Sequence, residues 1–150
     1  MPTTLHRFKS GKYTGKTVEE VFLRDAPHLY RLKAAQKTGR IVDAIDKLRA
    51  KLRRRKIIVR CEECGKPAPY MTFPVERGTY WNGAYWWCDR DKPFEKRGIS
   101  GKMPIHFDAI RRFTGKKYQA LAHKEIREAF VKKGVRINEE FALKFFWGTE

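Results

Sequence analysis

The sequence predicts an α+β protein with a small helical N-terminal module, a central β unit and C-terminal helices. Apolar residues recur at helical spacing on both sides of the centre, whereas the centre is rich in aromatic residues and contains an Asn-Gly turn signal. All three cysteines fall in this centre, within one 28-residue window. We therefore divide the chain into a basic helical module (1–56), a β segment with a linker (57–104) and a helical segment (105–150).

The chain of 150 residues is strongly basic and has enough apolar surface to fold. Hydrophobic residues make up 41% of it and aromatic residues 13%, which excludes an intrinsically disordered chain. The formal net charge is +17, and it is unevenly distributed along the sequence. Residues 1–60 hold 17 basic and 5 acidic residues, whereas residues 61–110 hold 7 of each. Such a charge favours a polyanionic partner, and DNA or RNA is the commonest one.

The composition also indicates an intracellular protein. No apolar run approaches the ~20 residues that span a bilayer, and the N-terminus lacks the apolar region of a secretory signal. The odd number of cysteines, three, argues against a disulfide scaffold. We therefore expect a reducing compartment (cytoplasm, nucleoid or nucleus) and no membrane partner.

The N-terminal module begins with a lysine-rich loop at residues 9–16 and continues into helices. Thr17-Val18-Glu19-Glu20 is a capping box, which predicts a helix that begins just after the threonine. Asp25 is typical of a cap for the next helix, and Gly39 is expected to end that helix. The loop is interpreted either as a turn between elements or as a phosphate-holding loop with exposed amides.

A motif runs through this module: Phe8, Gly11-Lys12-Tyr13, Gly15-Lys16-Thr17, Glu19-Glu20-Val21, Asp25 and Leu29-Tyr30-x-Leu32. Over about residues 8–35 it resembles the small C-terminal domain of exodeoxyribonuclease X-like proteins. Two positions depart from that family, because Lys9-Ser10 precedes the Gly-Lys pair and Leu32 stands where the family usually has tryptophan. The resemblance implies an association with nucleic-acid metabolism. It does not extend to the exonuclease's catalytic domain, so it implies no nuclease activity.

A second helix is predicted over residues 40–56, because apolar residues recur there at helical spacing. Residues 47–60 contain eight basic residues and no acidic one, which exceeds what a solvated helix face needs. We expect this face to contact the phosphate backbone, together with two lysines of the N-terminal loop. The predicted nucleic-acid-binding residues are Lys12, Lys16, Lys47, Arg49, Lys51, Arg53, Arg54, Arg55, Lys56 and Arg60.

The cysteines are spaced as metal ligands. Cys61 and Cys64 form a Cys-x-x-Cys-Gly knuckle, and Cys88 begins a second knuckle in which Asp91 occupies the position of the second cysteine. Structural zinc sites use paired knuckles to place four ligands in a tetrahedron, and a carboxylate is an accepted ligand. We predict a zinc site made of Cys61, Cys64, Cys88 and Asp91. His106 is the alternative fourth ligand, Asp89 is a weaker choice, and three free thiols are the alternative to any site.

Short strands are predicted at residues 57–59 and 70–73, with a hairpin at residues 79–87 around Asn82-Gly83. Strands closed by knuckles describe a zinc-ribbon-like unit, and the metal would supply much of its folding energy because so little apolar surface is buried. The aromatic residues are interpreted mainly as core. Candidates for base stacking are Tyr80, Trp81 and Trp86.

Residues 90–104 are polar and predict a linker, which precedes a helix over residues 116–133. Asn138 is expected to cap a last, very apolar helix. This tail is predicted to dock on the protein's own core, and a contact with a partner protein complex is the alternative.

Three functions compete. The first is a zinc protein that binds nucleic acid through its phosphate backbone, and the second is a small structural subunit of a larger nucleoprotein complex of the ribosome or polymerase type. The third, an HNH-type nuclease, is disfavoured because no histidine lies between Cys64 and Cys88. We therefore predict no enzymatic activity and no catalytic residues.

Overall fold

The computed structural model describes residues 5–72, 85–90, 103–112 and 115–148, and in these residues the protein has the predicted α+β fold. The helices are α1 (Val18–Gln36), α2 (Arg40–Arg53), a 3₁₀ helix (Phe107–Arg112), α3 (Lys116–Glu128) and α4 (Glu139–Trp147). The strands are β1 (Tyr70–Thr72), β2 (Tyr85–Trp87) and β3 (Met103–Pro104). They form one antiparallel sheet in the order β2-β1-β3.

The chain divides into two compact units. We call Met1–Arg54 with Gly134–Glu150 the helical unit, and Arg55–Lys133 the cysteine unit. The predicted C-terminal segment, 105–150, is thus shared between both. Its last helix, α4, belongs to the helical unit.

The capping signals of the N-terminal module act as the sequence predicts. The Thr17 hydroxyl accepts a hydrogen bond from the Glu20 amide at 3.2 Å and starts α1. Asp25 leaves the helical conformation (φ −157°, ψ 64°), and its carboxylate accepts the His28 amide at 3.4 Å. The Tyr13 hydroxyl donates to the same carboxylate at 2.6 Å, so the N-terminal loop is fastened to this kink.

The core of the helical unit lies between α1, α2 and α4. Phe22 and Leu29 of α1 and Ile45 of α2 are completely buried. Phe146 of α4 packs edge-on against Phe22, with ring centroids 5.9 Å apart. The apolar tail therefore docks on the protein's own core, as predicted.

Three helix ends differ from the predictions. The first helix ends at Gln36 instead of Gly39, because Lys37 takes a left-handed φ of 64° and its amide bonds the Lys33 carbonyl at 2.8 Å. The helices predicted over 40–56 and 116–133 end at Arg53 and Glu128. In both, the amide of the residue after the helix bonds the carbonyl three residues earlier, and this tighter bond closes the last turn.

The sheet of the cysteine unit also corrects two predictions. Residues 57–59 do not form a strand, because their backbone bonds are scattered: the Ile58 amide bonds the Ala129 carbonyl at 2.9 Å, at the end of α3. The end of the predicted linker forms β3, which pairs with β1. The strand predicted at 70–73 is confirmed over Tyr70–Thr72, whereas the Asn82-Gly83 turn lies outside the described residues.

Apolar side chains of this unit are buried both in the sheet and between the 3₁₀ helix and the end of α3. Trp87 is 1% exposed and donates its indole N–H to the Thr72 hydroxyl at 2.8 Å. Phe107 and Ile126 are likewise buried, and Phe107 lies 5.5 Å from Phe130 between ring centroids. The pairing with β1 and the bond between Trp87 and Thr72 hold β2 in place, and Cys88 follows β2 directly.

Candidate metal centre

A tight turn positions the first two cysteines. The Cys61 amide bonds the Lys66 carbonyl at 2.8 Å, and the Gly65 amide returns to the Cys61 carbonyl at 3.0 Å. Gly65 has a φ of +71°, a left-handed conformation that a glycine adopts without steric cost. The Glu62 amide bonds the Trp86 carbonyl at 2.9 Å, which fastens this turn to β2. Cys88 comes directly after β2, so the sheet delivers it to the same place.

The three sulfurs converge as ligands of one ion would. The Cys61, Cys64 and Cys88 sulfurs all lie within 4.8 Å of one another, and Cys64 and Cys88 are separated by 3.6 Å. That separation is far longer than a disulfide bond of about 2.05 Å. It is close to the edge of about 3.8 Å expected between two thiolates bound tetrahedrally to zinc at about 2.3 Å.

The three thiols differ in burial and influence one another's ionisation. Cys61 and Cys88 are buried with Ala68 and Trp87, whereas Cys64 is exposed. The Lys66 amide lowers the pKa of Cys64, but desolvation and the two neighbouring thiols together outweigh it, so this pKa is raised. Three crowded thiols resist ionisation, and a bound dication would remove that resistance.

The fourth ligand is not found among the described residues. Asp91 lies outside them, and neither His106 nor Asp89 belongs to the group that the three cysteines form. The Nδ1 atom of His106 accepts the Asp108 amide at 3.0 Å. In the part of the chain that the structure describes, the candidate centre therefore consists of three thiols.

The predicted basic face of α2 is only partly available. Lys47 is exposed, but Arg49 pairs with Asp46 at 3.2 Å and lies over the Tyr30 ring. Lys51 stacks on Trp147 of α4, with 4.4 Å between its ammonium and the ring centroid. The residues that the structure leaves exposed on this run are Lys47, Lys51, Arg53, Arg54, Lys56 and Arg60, whereas Arg49 and Arg55 are half-buried.

The boundary between the units falls inside this basic run. Residues up to Arg54 belong to the helical unit, and the run from Arg55 belongs to the cysteine unit. By sequence the helical unit holds 16 basic and 8 acidic residues, and the cysteine unit holds 18 and 9. Although residues 61–110 alone are neutral, both folded units are strongly basic.

Three backbone amides of the N-terminal loop already donate hydrogen bonds to nearby carbonyls. Those of Thr14, Gly15 and Lys16 donate to carbonyls within the loop at 2.8–3.3 Å. Lys16 pairs with Glu20 at 3.5 Å, and Lys12 lies over the Tyr13 ring at 5.3 Å. These three amides are therefore not available to a phosphate, which favours the turn interpretation.

The structure describes one of the three candidate stacking residues. Trp86 is half-buried and packs against the cysteine cluster, whereas Tyr80 and Trp81 lie outside the described residues. The exposed aromatic of β2 is Tyr85, at 43% exposure, which is not one of the three stacking candidates. Alternation along the strand gives no signal for it, because Tyr85 shares a strand face with the buried Trp87.

Two of the histidines pack against aromatic rings. His28 packs edge-on against Tyr13 at 5.0 Å, and His123 is buried beside Phe107. Within the described ranges, the cysteines form the one group of three or more side chains suited to holding a metal.

No protein-family model, curated protein or solved structure matches this chain. Across the described residues, no helix combines the length and the apolar character needed to cross a membrane.

Proposed function

We propose that this chain is a zinc protein that binds nucleic acid mainly through contacts to the phosphate backbone. The observation that carries the proposal is the convergence of three cysteine sulfurs within 4.8 Å in a unit that is itself strongly basic. A metal-stabilised scaffold with excess positive charge is a common way to present cations to a polyanion.

Zinc fits the ligand set best, because thiolates favour zinc over the hard cations. Asp91 stands three residues after Cys88, as Cys64 does after Cys61, and supplies the fourth ligand. A closed four-ligand site has no open position for a substrate. The metal therefore serves folding and not catalysis, which agrees with the absence of a catalytic histidine between Cys64 and Cys88.

The phosphate contacts come from exposed cations that extend from α2. Ile45 and Leu48 bury one face of this helix, and Lys47 and Arg54 remain exposed. Cations that neutralise phosphates release counterions, and each such contact makes the affinity more dependent on salt. No base-reading motif accompanies them, so the binding is largely independent of sequence.

The test is the affinity of the metal-loaded protein for single- and double-stranded DNA and RNA over a salt series. We expect a steep dependence on salt. The Lys47→Ala/Arg54→Ala variant should reduce the duplex slope of log K against log salt by about 1.8, since each phosphate contact contributes about 0.9. Arg136→Ala/Lys144→Ala is the matched control, because it removes the same charge from exposed positions of the same unit.

Weak binding of the wild type to all four ligands would overturn the proposal. The charge would then serve assembly into a larger nucleoprotein complex, and the protein should co-purify with its RNA or DNA scaffold. Equal slopes for both double variants would instead leave binding intact but remove α2 as its site.

A further inference from the structure

A groove of about 750 Å³ lies in the cysteine unit beside the three thiols. Residues 56–60 and residues 66–69, which follow the knuckle, together form most of its lining. Cys88, Asp89 and Arg90, which follow β2, complete the lining. Its volume is within the range of ligand-binding clefts.

The chemistry of the groove is divided between apolar and basic groups. Its apolar lining comes from Ile57, Ile58, Val59, Pro67, Ala68 and Pro69. Four exposed cations stand around this apolar surface, namely Lys56, Arg60, Lys66 and Arg90. Asp89 is the single acidic residue of the lining. No ion pair among the described residues involves any of the four cations.

The lining segments on either side of the knuckle in sequence are hydrogen-bonded to each other. The Ala68 amide bonds the Val59 carbonyl at 3.2 Å, and Arg60 forms a bridge with Pro67. The Cys61 amide continues this pairing to the Lys66 carbonyl at 2.8 Å. The two segments therefore form one continuous part of the lining, held by the same backbone bonds that position Cys61.

We propose that this groove binds an unpaired stretch of nucleic acid, with phosphates on the four cations and base faces on the apolar surface between them. The inference rests on the proposed function and names its substrate class. A duplex keeps its base faces stacked inside, so it can meet the cations but leaves the apolar surface unused. A single strand satisfies both halves of the groove at once.

The occupant follows from charge complementarity. Four cations against one carboxylate select a polyanion, and the half-buried Ile57 and Val59 select one with flat apolar faces. An acidic peptide would satisfy the cations, but its carboxylate side chains offer no comparable apolar face. Nucleic acid is therefore the occupant that fits both halves of the groove, and an acidic peptide serves as the competitor in the experiment.

The experiment measures binding of the zinc-loaded full chain to a fluorescent oligothymidine of about eight nucleotides and to a duplex with the same number of phosphates. The groove variant is Arg60→Ala/Lys66→Ala. Its matched control is Lys124→Ala/Lys132→Ala, two exposed lysines of the same unit that do not line the groove. Zinc content and the melting temperature confirm that both variants are folded.

The groove variant should lose about tenfold or more of its affinity for the single strand, and its salt slope should fall by about 1.4 for two lost contacts. Its duplex affinity should fall clearly less than its single-strand affinity, because a duplex contacts the cations but not the apolar surface. Equal single-strand losses in the two variants would overturn the inference and leave the proposed function standing.

Two other outcomes also overturn the groove assignment. If duplex affinity falls as steeply as single-strand affinity, the groove is a general phosphate surface. If polyglutamate displaces the oligothymidine as effectively as unlabelled oligothymidine of equal charge, the groove recognises acidic peptide. Absence of binding to either nucleic acid by the wild type would instead remove the proposed function itself.

Discussion

The two units carry similar charge but are stabilised in different ways. In the helical unit, long helices bury complete apolar side chains such as Phe22, Leu29 and Ile45. The cysteine unit also buries apolar side chains such as Trp87 and Phe107, but its three strands have only three, three and two residues, and Cys61 and Cys88 form part of the cluster around Trp87. Strands this short provide few ladder bonds, so a cross-link has most to contribute there. The comparison predicts that metal removal and core truncation damage different units.

The largest effect is expected from Cys61→Ser. Loss of a ligand should release the metal, whose binding in small structural sites contributes roughly 10–16 kcal/mol at pH 7. The cysteine unit should lose its tertiary structure, while the helical content of α1 and α2 persists. Zinc content, far-UV circular dichroism and tryptophan fluorescence report this, because Trp81, Trp86 and Trp87 are three of the four tryptophans.

The exposed neighbour provides the control for that substitution. Glu62→Ser changes a side chain of the same turn but no candidate ligand, so it should keep its metal and its melting curve. A Cys61→Ser protein with stoichiometric metal and an unchanged melting curve would show that the metal centre is wrongly assigned.

A smaller effect, confined to the helical unit, is expected from Phe146→Ala. The side chain is 6% exposed and contacts Phe22, so its truncation should cost roughly 3–5 kcal/mol of unfolding free energy in the helical unit. Metal content should not change. Phe141→Ala, on the half-buried side of the same helix, should cost clearly less in urea unfolding. Loss of metal from the Phe146→Ala protein would contradict the separation of the two units.

The smallest effect concerns a buried carboxylate of the helical unit. Glu19 is 3% exposed, its Oε2 has no hydrogen-bond partner in the described structure, and desolvation raises its pKa although Trp147 and His6 oppose this. The folded state therefore holds the Glu19 proton more tightly than the unfolded state. This contribution to stability is complete below the ordinary pKa of 4.5 and is lost as the pH rises through the folded value.

The Glu19→Gln variant tests this pH dependence. It should be at least as stable as the wild type at neutral pH, and the difference should shrink as the pH is lowered towards 4.5. Thermal melting over this range measures it. Glu140→Gln, which replaces an exposed carboxylate of α4, is the matched control for the change of glutamate to glutamine. A constant difference across the range would mean that Glu19 does not titrate with folding.

Local signals explain how much of the fold could be predicted. Caps at Thr17 and Asn138 act through neighbours three residues away, so the sequence contains both partners of each bond. The pairing of β3 with β1 joins residues far apart in the chain, and a two-residue strand has no pattern of its own. The strand expected at residues 57–59 had strong propensity, but the Ile58 amide bonds the Ala129 carbonyl at the end of α3, whereas the Val59 carbonyl bonds the Ala68 amide.

The candidate sites divide in the same way. The convergence of the three cysteine sulfurs could be predicted from the cysteine spacing, because metal knuckles are local structures. The eight cations of residues 47–60 stay a prediction as phosphate contacts, and the sequence did not reveal that Arg49 and Lys51 lie over the rings of Tyr30 and Trp147. Lys66 and Arg90 were missed as candidates because they meet the basic run only after the knuckle has folded.

The order of the units along the chain has a consequence for synthesis. The helical unit is interrupted by the 79 residues of Arg55–Lys133, and α4 follows them. At about 5–20 residues per second, translation of this insertion takes roughly 4–16 s. Throughout that interval the side of Phe22 that packs against α4 stays exposed in the nascent chain. If the insertion folds around the proposed metal, metal bound during those seconds would let it fold before α4 arrives.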